Sequence, residues 1–189
     1  IEAKVSTRKS PSLKFDIQTP ISLAAVRGTE YRVVYAQSSQ TGWTEVVAGR
    51  VQVSNQRGGV QLFAGTGNVS RQDQAPGAAI PLLPPMNLDG VPELLEYLPP
   101  NLKLNHVPKA TAYDIQLSRD AAFEHILTQK TFDKPVWRTN DLADGRYWMR
   151  IRAVDQNGLR GKDAVHSFIL AARPEPPLLM SPKAKGIVR

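Results

Sequence analysis

The chain contains no cysteine. It therefore has no disulfide framework, no thiolate nucleophile and no cysteine-ligated metal, an absence compatible with both the cytosol and the periplasm. It also lacks any apolar run near the ~18 residues that a helix needs to cross a bilayer. Histidine is scarce. His106, His125 and His166 stand 19 and 41 residues apart with no second ligand at i+2 or i+4, so surface or hydrogen-bonded histidines are expected and no metal is. There is no Gly-x-Ser-x-Gly elbow, phosphate loop or dinucleotide fingerprint, and no cofactor is expected. The run Asp155-Gln156-Asn157-Gly158, with Asp163 downstream, misses the spacing of a calcium loop and reads as an Asn-Gly hairpin turn. Among the carboxylates, Asp141 and Asp144 flank a turn. Glu93 and Glu96 sit in VPELLEYL, which is expected to form a helical turn or two opened by Pro92. No nucleophile, base or metal set emerges, so the chain is read as non-catalytic.

Proline, glycine and positive charge are plentiful. With 189 residues and 41% apolar content, the chain can bury one large core or two small ones, and two is the better expectation. Ala75–Pro100 holds seven prolines and no strand-like alternation, which suits a boundary near Pro84. The net charge of +7 points to an anionic partner or environment: nucleic acid, a lipid surface or an acidic cell-wall polymer. That charge is dispersed, and neither a basic arm nor an aromatic RNA-binding signature is present, so nucleic acid is set aside. Ile1 is neither a start methionine nor part of a signal peptide, and the chain is expected to be a piece of something longer.

The first half alternates. Leu13, Phe15 and Ile17 share a face of a strand ending at Thr19-Pro20, and Tyr31 with Val33, then Val51 with Val53, continue the pattern. VVAGRVQV (46–53) aligns with LFAGTGNV (62–69) at a spacing of 16, and AVRGTEYRV fits less well upstream. Strands turning at a recurring glycine suggest stacked coils or a meander. In the second half, Tyr113, Ile115 and Leu117 share one face, as do Tyr147, Met149, Ile151 and Ala153, with VHSFIL as a closing strand. Asp144-Gly145 and Asn157-Gly158 mark tight turns between strands, the grammar of a small antiparallel sandwich.

The order FDIQTPISLAAVRGTEYRVVY, TEVVAGRVQV and VQLFAGTG, over residues 13–69, resembles the FecR domain, with its TP, VRGT, G-x-V-x-V and L-x-AG elements. YDIQLSRDAAF with LADGRYWMRIRAVDQNGLRG is similar to a fibronectin type III module, in which Tyr147 takes the corner-tyrosine position and Leu142 precedes it. The expected organisation is an all-β chain: a FecR-like solenoid or meander over 1–80, a fibronectin type III-like β-sandwich over 81–172, and a Pro-rich linker over 173–189. Pro81–Val91 is similar to Pro176–Val188, so a further module is expected to begin after Ala172. The resemblance implies a bacterial cell-envelope or periplasmic location. It also implies either a scaffold of the kind that carries a peptidoglycan-binding LysM domain, or the periplasmic part of a regulator relaying siderophore signals to a sigma factor. A cell-wall enzyme or its accessory fragment is a third class.

Two constellations stand out. Arg27-Gly28-Thr29 interrupts a strand, and the expected role is structural, Gly28 permitting a positive φ or a close backbone approach. In the second, Trp148, Arg150 and Arg152 project together opposite Tyr147, Met149 and Ile151. Such a face either binds an acidic envelope polymer such as peptidoglycan, or an envelope protein, by stacking and charge, or pairs across strands with Asp114 and Gln116.

Overall fold

The computed structural model describes residues 2–6, 14–97, 100–139 and 142–173, the backbone alone at 2–6, 14–17 and 25–29. The expected linker and further module after Ala172 fall almost wholly outside these residues, as do the side chains of Arg27 and Thr29.

The described residues are all-β, as the alternation predicts. In the first half run β1 (Glu2–Ser6), β2 (Lys14–Gln18), β3 (Leu23–Ala36), β4 (Thr41–Asn55), β5 (Gly58–Phe63), β6 (Thr66–Arg71) and β7 (Ile80–Pro81). They form one antiparallel sheet in the order β1-β3-β4-β6-β7, with β2 also on β3 and β5 also on β4. Of the two expectations, solenoid or meander, the meander is observed. The chain reverses between Ala36 and Thr41 through a short turn in which Gln40 N donates to Gln37 O, and a return this short enforces antiparallel pairing.

The β3–β4 ladder breaks in its middle. Arg27 pairs with Arg50 and Glu30 with Ala48, so Gly28 and Thr29 together oppose Gly49. Tyr31 then pairs with Val46, leaving Val47 as the compensating extra residue on β4. Two opposed bulges bend a ladder without shifting the register beyond them. This one therefore serves two sheet halves: residues 23–27 and 50–55 carry β2 and β5, whereas 30–36 and 41–46 carry β1 and β6. Ala24, Val51, Val53 and Leu62 from one half join Tyr31, Val33 and Val46 from the other in a single buried cluster. Arg27-Gly28-Thr29 is thus the fold line of the first unit.

The second half contains β8 (Leu94–Leu95), β9 (Asn101–Lys103), β10 (Ala112–Ser118), β11 (Ile126–Phe132), β12 (Val136–Arg138), β13 (Gly145–Val154) and β14 (Ala164–Leu170). A five-stranded sheet, β11-β10-β13-β14-β8, packs against the β12–β9 pair. The inward sets read from the sequence (Tyr113, Ile115, Leu117; Tyr147, Met149, Ile151, Ala153) meet Leu102 and Trp137 of the small sheet, and Trp137 contacts Phe168 edge-on at 5.8 Å between centroids. Tyr147 makes the expected corner. Its hydroxyl donates to Ala143 O at 2.6 Å and accepts from Arg119 Nη2 at 2.7 Å, while the Arg119 guanidinium lies 3.9 Å from the ring centroid.

One expectation changes. VPELLEYL does not form helical turns: Leu94 and Leu95 pair in parallel with Ile169 and Leu170, because the free edge of β14 offers unpaired backbone groups and Ile169 N donates to Glu93 O at 2.7 Å. The Pro-rich stretch over 75–100 also packs against its neighbours. Leu82 is buried in a cluster with Val69 and Leu159, and Met86 and Val91 enter the sandwich core.

Gly49 has φ +80°, as does Gly65 in the aligned copy of its motif. Gly49→Val is expected to lower stability by ~1 kcal/mol or more, because a β-branched residue is strained at positive φ; a thermal melt checks it. Tyr147→Phe removes the corner hydrogen bond but keeps the ring, and urea titration should show a loss of ~1 kcal/mol.

Candidate functional site

The strand registers place Ser118 opposite Trp148, Gln116 opposite Arg150 and Asp114 opposite Arg152. Of the two readings of this face, the geometry realises cross-strand pairing. Arg150 donates through Nε to Gln116 Oε1 at 2.8 Å and stacks over Phe123, 4.2 Å from the centroid. Arg152 Nη1 lies 3.5 Å from Asp114 Oδ2, and its Nε donates to Asp163 Oδ1 at 2.6 Å. Exposure is 5% at Arg150 and 1% at Arg152, so the expectation of two guanidiniums presented together to a ligand is corrected. Trp148 alone of the three stays half-buried, with the Arg146 guanidinium 6.0 Å from its ring.

What covers Arg152 is the first unit. β3 and β4 direct Tyr31 and Val46 into their own core, so alternation turns Arg32 and Glu45, themselves directly paired, outward. There they meet the second unit. Arg32 Nη1 donates to Asp163 Oδ1 at 2.7 Å, and Nη2 donates to the carbonyls of Arg160 and Gly161 at 3.0 and 2.7 Å. Its Nε lies 2.7 Å from Glu45 Oε2, while Glu45 Oε1 accepts from Arg160 N at 2.6 Å. Arg160 Nε reaches Asp114 Oδ2 at 3.2 Å. Asp163 thus accepts a guanidinium hydrogen bond from each unit, and Arg150 Nη1 of the second lies 3.9 Å from its other oxygen.

The Asn-Gly turn completes the joint. The Trp43 indole N–H donates to Asn157 O at 2.7 Å, and Leu159 packs with Val69 and Leu82 beside Trp43. Gly158 has φ +81°, and a Cβ there would lie 3.0 Å from Trp43 Nε1, so the turn requires glycine both for its backbone and for its close approach. Asp155 holds the turn by accepting from Asn157 N and Leu159 N.

Electrostatics follow from burial. Removal from water pushes the Glu45 carboxyl up and the Arg32 guanidinium down, and their mutual attraction opposes both shifts. Burial alone would raise Asp163 as well. The hydrogen bond from Arg152 and the charges of Arg152, Arg32 and Arg150 outweigh it and hold Asp163 below the usual carboxylate range.

The remaining candidates are dispersed. Asp144 Oδ2 accepts from Arg173 N, Glu93 and Glu96 are exposed, and Asp141 lies outside the described residues. His125 lies 3.9 Å from Asp120, and His166 Nε2 is 3.0 Å from Pro92 O. Sequence reasoning missed Arg32 and Glu45, whose only signal was an outward position beside a buried neighbour.

Asp163→Asn should cost about 3 kcal/mol, the lower end for breaking a buried pair, since Asp163 keeps a 26% exposed side chain. Urea unfolding is the measurement, with the joint expected to melt ahead of the sandwich. The wild type should also lose stability as pH falls below the ordinary Asp value of 3.8, because Asp163 binds its proton more weakly folded than unfolded. Asp163→Asn should remove that part of the acid-side loss.

No family model and no curated protein matches the chain. Among solved structures, an Fn3-like protein from Clostridium thermocellum is similar at 18% identity and a TM-score of 0.36, over 50% of this chain and 96% of that one. Two structures of an extracellular domain from B. thetaiotaomicron, one assigned to a hybrid two-component system and one to a one-component system, are similar at 8% and 10% identity. Their TM-scores are 0.31 and 0.33, over 91% and 87% of this chain, which spans 31% of each of those chains.

Proposed function

We propose that the chain is a non-catalytic interaction scaffold of a bacterial cell envelope, acting in the periplasm in association with peptidoglycan. The observation that carries this reading is the joint. The charged residues best suited to chemistry, Arg32, Glu45, Arg152 and Asp163, are committed to one another across two β-units. An arrangement of this kind holds modules at a set angle, and it leaves no group among those four poised to transfer a proton to a substrate. The FecR-like motif order over residues 13–69, the sandwich that follows it and the net charge of +7 support the location and the anionic environment. The same motif order supports a second reading, the periplasmic part of a signal-relaying regulator. The full gene product distinguishes them: a LysM segment upstream belongs to the scaffold, a cytoplasmic segment followed by a membrane helix to the regulator.

The test is co-sedimentation of the full chain with purified peptidoglycan sacculi. The chain is expected in the pellet, with binding that weakens as salt rises, since exposed charges are screened within about 10 Å at 0.1 M. No soluble sugar or peptide fragments should appear with time. A chain that stays in the supernatant at every salt concentration overturns the scaffold reading, and steady release of fragments makes it an enzyme.

A further inference from the structure

A cleft of about 450 Å³ opens at the end of the first unit away from the bulge. That size lies within the ~300–1,000 Å³ typical of small-ligand sites. Four glutamines reach it from four different segments: Gln18 ends β2, Gln40 closes the β3–β4 turn, Gln56 sits in the β4–β5 turn, and Gln72 follows β6. All four are exposed, and their side-chain amides make no hydrogen bond among the described residues. The fold of this unit uses Gln18, Gln40 and Gln72 through their backbones and none of the four side chains.

The cleft is shaped in advance. Asn55 Nδ2 donates to Ile21 O at 3.3 Å and to Gln74 O at 2.8 Å, tying the loops on both sides together. Its Oδ1 accepts from Arg57 N at 2.9 Å. Thr19 Oγ1 accepts from Ser22 N at 3.0 Å and closes the β2–β3 turn. Loops held by such bonds lose little freedom on binding a ligand.

Charge selects the ligand class. In a chain of net charge +7, the described lining of the cleft carries one cation and one anion, Arg57 and Asp73, 3.7 Å apart and paired with each other. It therefore offers no surplus charge to an anionic polymer. Each glutamine presents a donor and an acceptor side by side, the complement of adjacent hydroxyls or of an acetamido group. Pro20, Ile21 and Tyr35 add an apolar wall against which the C–H face of a ring can rest.

We propose that this cleft is a binding site for a neutral saccharide bearing hydroxyl and acetamido groups, such as a stretch of glycan strand. It deepens the scaffold reading and rests on it only for the source of that glycan. The wider charge of the chain holds it near an anionic wall, and the cleft reads uncharged sugar within it.

The experiment uses the isotopically labelled full chain, followed by NMR during titration with the β-1,4-linked tetramer of N-acetylglucosamine, with cellotetraose and with an alanine- and glutamate-containing wall tetrapeptide. Shifts are expected at the side-chain amides of Gln18, Gln40, Gln56 and Gln72 with the acetylated sugar, weaker with cellotetraose and absent with the peptide. Gln56→Ala/Gln72→Ala should raise Kd about tenfold while leaving the spectrum of the sandwich unchanged, since both residues are exposed. No shifts at millimolar sugar, shifts confined to another surface, or a cleft response to the peptide alone each overturn the proposal. Sacculus binding that persists unchanged in the double variant, with no sugar response, leaves the scaffold and removes the cleft. A sugar response without sacculus binding leaves the cleft and removes the scaffold.

Discussion

Arg32 and Arg152, one from each unit, converge on the same oxygen of Asp163. Both guanidiniums are 1% exposed, and ions taken so far from water are tolerated only when the partners are close and the remaining donors are met. For Arg32 the two terminal nitrogens are met by carbonyls as well as a carboxylate, donating to Arg160 O, Gly161 O and Asp163, while its Nε makes an ion-pair contact with Glu45 without hydrogen-bond alignment. Neither unit alone contains this set. Separating the units would strand Arg32 with Glu45 on one surface, and Asp163 with Arg152 and Asp114 on the other. The relative placement of the units is therefore specified by charge, with the apolar cluster of Val69, Leu82 and Leu159 alongside contributing burial with far less directionality.

The bulge at Gly28-Thr29 makes that surface possible. By bending one long ladder so that its two halves enclose a core, it turns Tyr31, Val33 and Val46 inward and leaves Arg32 and Glu45 on the outer face of the second half. The turns at the two ends of the ladder gather the glutamines of the cleft, Gln18 and Gln56 beside Leu23 and Asn55, Gln40 and Gln72 beside Thr41. One structural device thus separates a closed, charged joint from an open cleft whose described charges balance.

The Pro-rich segment runs between these units as a packed strip. β7 pairs with β6, Leu82 N donates to Gly65 O, and Lys162 N donates to Leu83 O. Backbone bonds to both units leave this strip little freedom to act as a flexible hinge, which agrees with the joint's dependence on geometry.

Local periodicity was sufficient for the all-β class and for the inward sets on β10 and β13, because side-chain alternation is written in the chain order. The tyrosine corner, and the reading that paired Arg150 and Arg152 with Gln116 and Asp114, came instead from the resemblance to a sandwich module, which supplies the strand neighbours that periodicity does not. The helical expectation for VPELLEYL failed because the pairing edge that captures it belongs to β14, some 75 residues later. The joint was beyond reach for the same reason: Arg32 and Asp163 are 131 residues apart, and alternation says that a residue points outward without saying what lies there. The cleft, too, is a product of topology, since glutamines scattered from position 18 to position 72 carry no pattern until the turns that bear them are brought to one end. Sequence by itself determined which side chains leave the core. Tertiary structure decided whether they meet another unit, one another or solvent, because that choice depends on contacts between segments that share no local geometry.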